Sequence, residues 1–350
     1  MKTVHVTASR EYDIVIGPGL LATIGQRIAA LGGVSKVCIV SDSNVWPLYG
    51  DAAERSLLDT GLHATAFVFP AGEEQKNGTT YLQLLNHLAE AALTRNDLIV
   101  ALGGGVVGDL AGFAAATFLR GIRFVQVPTT LLAAVDSSVG GKTAIDLPSG
   151  KNLAGAFCQP SLVLCDTLCL DTLDPEVFLD GCGEVIKYGV LYDAAFLAML
   201  GSCGPELDRE EVIARCVMLK RDVVQEDEFD TGARMKLNLG HTIGHGVESC
   251  SGYAISHGRA VAIGMAIVAR AACRRGYCSP ATRDTILDTL ERFGLLTRCD
   301  FTAEVLCEAA LRDKKRSGTS VKLIIPAEPG RCIIEPIAIT ELPSFIEAGL

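Results

Sequence analysis

The sequence predicts an α/β N-terminal domain, a parallel sheet covered by helices, followed by a mainly α-helical C-terminal domain. Three observations predict it. Apolar runs of strand length alternate with helical segments up to about residue 175. A glycine-rich turn stands between one such run and the next helix. Beyond Pro175 the strand signals fade and long helical patterns continue to about residue 315. The expected boundary lies near 178, giving domains 1–178 and 179–350. Taken in order, residues 3–8 and 12–17 alternate as two short strands, and a helix from about Leu20 is closed by Gly32 and Gly33. Lys36–Ser41 reads as a buried strand ending in Asp42, Ser43 and Asn44, with a helix following to about Thr60. His63–Pro70 is the next strand, AGEEQK and a helix to about Thr94 follow, and Asp97–Leu102 is again buried strand. There is no internal repeat and no low-complexity segment.

GGGVVGD, residues 103–109, then satisfies GxGxxG with Gly103, Gly105 and Gly108. It follows a strand and opens a helix, which makes the sheet Rossmann-like, because helix N-terminal N–H groups favour a pyrophosphate there. The turn lies late in the domain and no acidic residue stands about twenty positions on. Asp42, ending an earlier strand, can take that ribose-binding role instead. The competing explanation is a turn that only packs helix on strand. Phe124–Pro128 is one more strand, ending at Thr129 and Thr130. Asp136–Phe157, rich in Gly, Ser and Lys, reads as a long polar loop whose Lys142, Lys151 and Asn152 offer donors to anionic oxygens. A solvated surface loop is the alternative, but long loops inside compact domains are usually functional. Leu162–Cys165 looks like the last strand of the sheet, and Val321–Pro326 with Cys332–Pro336 like a terminal hairpin.

The 350 residues suffice for two domains, and 49% hydrophobic with 21% charged residues is ordinary for a soluble globular chain. A net charge of −10 argues against nucleic acid or an anionic membrane as the main partner. It leaves room for an anionic small molecule held by a local cluster of Lys and Arg. The 13 cysteines are scattered without CxxC spacing, as expected of reduced thiols. The first residues alternate like a strand, with no apolar signal region, and no window is long enough to span a membrane, so the expected location is cytoplasmic.

Arg234, Asn238, His241 and His245 recur at i, i+4, i+7 and i+11, one stripe on one helix face. Gly240 and Gly244 beside them allow a close approach of another backbone or a ligand. His257 opens a second helix after a short loop, so two helices can bring His241 and His257 together. Three of the six histidines fall within this stretch. Glu184 and Lys187 stand at i, i+3 on another predicted helix. Glu with two His suits Zn²⁺ with an open fourth position, and His245 suits a supporting or proton-transferring role. Satisfied core histidines are the alternative, and the residues alone leave open which carboxylate completes the set.

With these residues in view, the chain resembles the 3-dehydroquinate synthase family over most of its length. GEEQK, GGGVVGDLAGFAAATFLRGIRFVQVPTT, VDSSVGGKTAIDLPSGKNLAGAFCQP, GEVIKYGV and LNLGHTIGHGVE carry the resemblance, the VDSSVGGKTAID stretch most specifically. The resemblance implies NAD as a recycled cofactor, a divalent metal (Zn²⁺ or Co²⁺), and 3-deoxy-D-arabino-heptulosonate 7-phosphate as substrate. It implies Glu184, His241 and His257 as metal ligands. It implies NAD contacts at Asp42, Asn44, Glu73, Lys76, Gly104, Gly105, Val106, Asp109, Thr129, Thr130, Asp136, Lys142, Lys151, Cys169 and Thr172. Substrate contacts would be Lys142, Asn152, Lys187, Lys220, Arg234, Asn238 and His245, with a lysine of Asp313-Lys314-Lys315 at the phosphate. Arg120 would reach the substrate phosphate of a neighbouring subunit in a homodimer.

The implied reaction is hydride removal from carbon 4, loss of phosphate after the carbon 5 proton leaves, return of the hydride, and aldol closure. Two positions depart from the family pattern. Arg259 stands where Glu is expected, and Cys182-Gly183 where a Leu-Ala-like pair is expected. Both touch the metal's surroundings and put its affinity in question. A related sugar phosphate cyclase would be separated by its product, and a metal-dependent polyol dehydrogenase by net NADH production without phosphate release. A non-catalytic nucleotide-binding protein would fail to bind a divalent metal.

Overall fold

The computed structural model describes residues 1–312 and 319–350. Asp313, Lys314 and Lys315, expected at the phosphate, lie outside the described residues. The chain divides into two units, Met1–Leu173 with Arg209–Phe229, and Asp174–Asp208 with Asp230–Leu350.

The first unit runs β1 (Lys2–Val6), β2 (Tyr12–Gly17), α1 (Ile24–Ala30), β3 (Lys36–Asp42), α2 (Trp46–Leu58), β4 (His63–Phe69), α3 (Gly78–Glu90), β5 (Leu98–Gly103), α4 (Gly105–Thr117), β6 (Arg123–Pro128), β7 (Lys142–Leu147), β8 (Gly150–Phe157) and β9 (Leu162–Asp166). Seven strands form one sheet in the order β1-β2-β9-β6-β5-β3-β4, parallel except for β1 against β2. The strands read as unbroken apolar runs because both faces are covered. Along β3, Val37 and Ile39 pack with Ile24, Ile28, Ala53 and Leu57 of α1 and α2. Cys38 and Val40 face the other way, onto Leu84 and Leu88 of α3 and Leu110, Ala111 and Ala114 of α4. From β3 the chain steps outward to β4, and from β5 it steps the other way to β6. The direction therefore reverses between β3 and β5, where open α/β sheets bind ligands at their strands' carboxyl ends.

Two expectations for this unit are corrected. Residues 136–157 are not a loop. A single π turn, Ala133–Ser137, leads into the antiparallel hairpin β7–β8. Ile145 and Ala154 join the apolar cluster on α4, so tertiary packing overrides a composition that reads as loop. A register irregularity between Ile145 and Leu147 falls at Asp146, and such bulges re-aim a side chain. Second, a single cut at 178 assigns residues 209–229 to the helical domain, whereas here they lie with the sheet unit. An ion pair of Lys2 with Glu211, and Glu228 accepting from the Ser9 backbone at 2.8 Å, tie this segment to the N-terminal strands.

The remaining elements are α5 (Pro175–Tyr192), α6 (Ala194–Cys203), α7 (Arg209–Glu226, in the first unit), α8 (His241–Cys250), α9 (His257–Arg274), α10 (Pro280–Arg292), α11 (Ala303–Arg312), the hairpin β10 (Ser320–Glu328) and β11 (Arg331–Ala338), and α12 (Leu342–Glu347). The central element of the second unit is α9, buried along most of its length, with α5 and α8 packed on it. No helix among the described residues is long and apolar enough to cross a membrane.

Candidate active site

In the first unit the expected cofactor residues line the carboxyl edge of the sheet. Asp42 and Asn44 follow β3, Glu73 and Lys76 follow β4, and Gly104, Gly105, Val106 and Asp109 follow β5. Thr129, Thr130 and Asp136 follow β6, and Cys169 and Thr172 follow β9. Five separate loops thus bring these groups to one edge. At the reversal point Gly104 caps α4 without a side chain, which leaves the first-turn N–H groups to a ligand. The Thr129 backbone N–H donates to Gly103 at 3.0 Å, while its buried hydroxyl has no hydrogen-bond partner among the described residues. A buried hydroxyl is rarely left so. That hydroxyl, beside an uncapped helix N-terminus, fits a nucleotide cofactor.

Lys76 organises this edge. It is 4% exposed, and its Nζ lies 3.0 Å from Asp109 Oδ2, 2.7 Å from Asn152 Oδ1 and 3.3 Å from Glu73 Oε1. Burial works against its charge, but Asp109 and Glu73 outweigh this and hold its pKa above the ordinary value. Burial likewise pushes Asp109 up to about 6, with Lys76 opposing. Asn152, at a positive φ of 57°, donates its backbone N–H to Asp146 at 2.7 Å. Asn is among the few residues that adopt this conformation readily. The Asp146 backbone N–H in turn donates to the Lys76 carbonyl at 2.7 Å, so the bulge locks the hairpin to the loop after β4. Lys151 Nζ stands 3.9 Å from Glu73. Lys220 of α7 reaches the Asp136 carbonyl at 2.7 Å and its carboxylate at 3.0 Å. Asp42 accepts from the backbone N–H groups of Asn44 and Val45, a cap on the turn into α2. Cys169 is 2% exposed, burial pushes its thiol up to about 12, and its carbonyl accepts from Tyr49.

In the second unit the stripe from Arg234 to His245 is not one helix. Arg234 and Asn238 stand on a 3₁₀ turn, Ala233–Asn238, and α8 begins afresh at His241. The break is Gly240, at φ 77°, a conformation that any side chain would strain. A Cβ there would lie 2.6 Å from the Val261 carbonyl of α9. Gly240 therefore both ends the turn and lets α8 approach α9.

Glu184 of α5, His241 of α8 and His257 of α9 meet here, with ligand atoms all within 4.8 Å of one another. Nε2 of His241 lies 3.5 Å, and Nε2 of His257 3.6 Å, from Glu184 Oε1. Each imidazole is oriented from behind. His241 Nδ1–H donates to the Leu239 carbonyl at 3.0 Å, and His257 Nδ1–H to Glu248 Oε2 at 3.2 Å. Both Nε2 atoms therefore turn toward Glu184, the arrangement a metal needs. Burial, aided by Lys187 and the other imidazoles, pushes His241 down to about 3 although Glu184 opposes it. Burial also opposes charge on His257, but Glu184 and Glu248 outweigh it and push that group up to about 10. Two buried carboxylates, Glu184 and Glu248, thus favour a positive charge at this cluster. An N₂O donor set around such a charge fits Zn²⁺ or Co²⁺.

Lys187, 1% exposed, forms an ion pair with Glu184, and Arg234 is 2% exposed. The ring of His245 stands 5.6 Å from that of His241 and 5.9 Å from that of His257. Glu248 and Asp146 were not singled out from sequence. Glu248 had a signal, since it continues the face of His241 and His245 at i+7 and i+3.

The chain also matches known proteins along nearly its whole length. The family model for the 3-dehydroquinate synthase N-terminal region matches residues 66–180, and the C-terminal model matches 181–316. The chain belongs to the 3-dehydroquinate synthase family. Relatives named 3-dehydroquinate synthase include one from Pelobacter propionicus, 47% identical over 341 residues, covering 95% of this chain and 94% of its own length. Another, from Streptococcus pneumoniae, is 43% identical over 342 residues, covering 96% of each. Among solved structures, a 2-deoxy-scyllo-inosose synthase complexed with carbaglucose-6-phosphate, NAD⁺ and Co²⁺ superposes with a TM-score of 0.90, at 26% identity over all of both chains. A 2-epi-5-epi-valiolone synthase from Streptomyces hygroscopicus with NAD⁺ and Zn²⁺ gives 0.88 at 26% identity over 98% of each.

Proposed function

We propose that the chain converts 3-deoxy-D-arabino-heptulosonate 7-phosphate to 3-dehydroquinate and phosphate, using NAD and a divalent ion, Zn²⁺ or Co²⁺. The observation that carries this is the meeting of Glu184, His241 and His257 from three helices, in a family whose named members perform the reaction. When bound, NAD takes up and returns a hydride and the ion polarises the alcohol oxygen, so no net oxidation occurs. The chain's own residues have to position and neutralise. Gly104, Gly105 and Val106, opening α4, would hold the pyrophosphate. Asp42 and Asn44 would hold a ribose, and Thr129, Thr130, Asp136 and Thr172 the remainder of the cofactor. Lys142, Lys151, Asn152, Lys187, Lys220, Arg234, Asn238 and His245 would bind the anionic substrate. Lysine and arginine neutralise the leaving phosphate in a chain whose net charge is −10.

Arg120 is exposed on a turn where both Leu119 and Arg120 have positive φ, 51° and 68°. Strain of this kind is kept at functional positions. It is consistent with Arg120 serving the phosphate of a neighbouring subunit in a homodimer. Mixing an Arg120→Ala variant with a Lys187→Ala variant should then recover activity that neither has alone.

The deciding experiment supplies purified protein with NAD⁺, Zn²⁺ and the heptulosonate phosphate. Stoichiometric phosphate and dehydroquinate, no accumulated NADH, and loss of turnover after chelation are expected. Absence of phosphate release from the loaded protein would overturn the assignment, and NADH accumulation with polyols would favour a dehydrogenase.

A further inference from the structure

The two departures near the metal site, Gly183 and Arg259, meet in the structure. Helices α5 and α9 cross backbone to backbone at Gly183 and Gly258, the neighbours of Glu184 and His257. A Cβ on Gly183 would lie 2.3 Å from the Gly258 carbonyl oxygen, and a Cβ on Gly258 1.8 Å from the Asp180 carbonyl oxygen, where real Cβ atoms keep at least 3.0 Å. Ser256, at the N-cap of α9, makes no side-chain capping bond. The cap comes instead from α5, whose Asp180 carboxylate accepts from the Arg259 backbone N–H at 3.1 Å. The Arg259 guanidinium then pairs with Glu176, one turn earlier on α5. An arginine in the first turn of a helix opposes the helix dipole. Here that local cost is offset by a bond to the facing helix.

We infer that Arg259 is a positioning residue: with Asp180 and Glu176 it clasps the first turn of α9 to α5, and so keeps His257 against Glu184. Gly183 is what allows the clasp to close. The inference rests on Glu184, His241 and His257 being the metal ligands. Metal–ligand distances tolerate only about 0.2 Å, so an added methyl at Gly183, which must part the helices by several tenths of an ångström, loosens the site.

The clasp and simple electrostatics predict opposite signs. Removing a cation beside a metal site should tighten the metal by charge alone. If Arg259 acts as a clasp, Arg259→Gln weakens Co²⁺ and Zn²⁺ instead, by about two- to fivefold for a partly exposed pair. Gly183→Ala weakens them by at least about tenfold. Arg259→Lys and the exchanged pair Glu176→Arg with Arg259→Glu should recover most of the loss.

The test measures affinity by competition with a chromophoric chelator, the visible absorption of the Co²⁺ form, and the thermal midpoint of each metal-free variant. Weaker binding with a changed Co²⁺ spectrum and a metal-free midpoint near the parent's supports the clasp. Unchanged or tighter binding by Arg259→Gln, or parental binding by Gly183→Ala, overturns it. Failure of the parent to bind either ion, or parental binding by Glu184→Gln, overturns the ligand assignment itself and the clasp with it.

Discussion

Metal uptake should expel one proton, and the structure says which. Without metal, His257 holds a proton between Glu184 and Glu248 with a pKa of about 10, whereas His241, at about 3, is already neutral. In the proposed ligand set, a metal at Nε2 of His257 has to displace the proton facing Glu184. At about pH 8 ordinary imidazoles titrating near 6.5 would release almost nothing, but this site should release about one proton per ion. Apparent affinity should therefore rise about tenfold per pH unit between roughly pH 7 and 9. Calorimetry in buffers of different ionisation enthalpy counts the proton directly. Glu248→Gln keeps the shape of a residue that is 5% exposed and removes one of the two carboxylates. It should lower metal affinity about 10- to 100-fold, equivalent to about 1.4–2.7 kcal/mol, and reduce the proton count at the same pH. No proton release at about pH 8, or an affinity flat with pH, would refute the reasoning. The stability of the metal-free protein follows from the same shifts. The raised pKa of His257 adds stability below about pH 6.5 that is lost as pH rises through about 10. The depressed pKa of His241 adds stability above about pH 6.5 that is lost as pH falls toward about 3.

Three further outcomes are expected. Lys76→Met leaves Asp109 and Glu73 without their shared cation and should cost about 3 kcal/mol in urea unfolding, with weaker NAD binding by fluorescence titration. An unchanged denaturation midpoint would count against the network. Asp97 is fully buried; burial raises its pKa, but hydrogen bonds from Thr94, Lys36 and Ser35 outweigh this and hold it at about 2. Its contribution is present above the unfolded value and lost as pH falls through about 2. Asp97→Asn should thus cost about 2 kcal/mol at neutral pH and flatten the acid limb of the stability curve. In Gly264→Ala the new Cβ would sit 2.1 Å from the Gly240 carbonyl oxygen. It should force α8 off α9, costing about 1–3 kcal/mol and weakening the metal, read by thermal unfolding and chelator competition.

The strands were legible because a sheet covered on both faces needs apolar runs, and β3, β5, β6 and β9 fall where those runs do. The glycine turn at the reversal point was legible because GxGxxG follows an apolar run and opens a helix, as β5 and α4 do. Residues 142–157 were not, since their Gly, Ser and Lys content describes exposed positions, while Ile145 and Ala154 fix the hairpin by packing on α4. Helix α7 falls within the long helical patterns, but the sequence carries no sign that it belongs with the sheet unit, because an amphipathic face does not specify what it packs against. The stripe from Arg234 to His245 shows where periodicity misleads. The spacing suits one helix and Gly240 suits a close approach, yet the same glycine at positive φ stops the helix. Its two roles are one physical fact, since only a residue without Cβ permits either. Gly183 and Arg259 carry this further. Read singly along the chain, a glycine within a helix and an arginine in a first turn are each unfavourable. Across the α5–α9 crossing the glycine makes room and the arginine makes the bond, so the sequence records two departures where the fold contains one compensated contact.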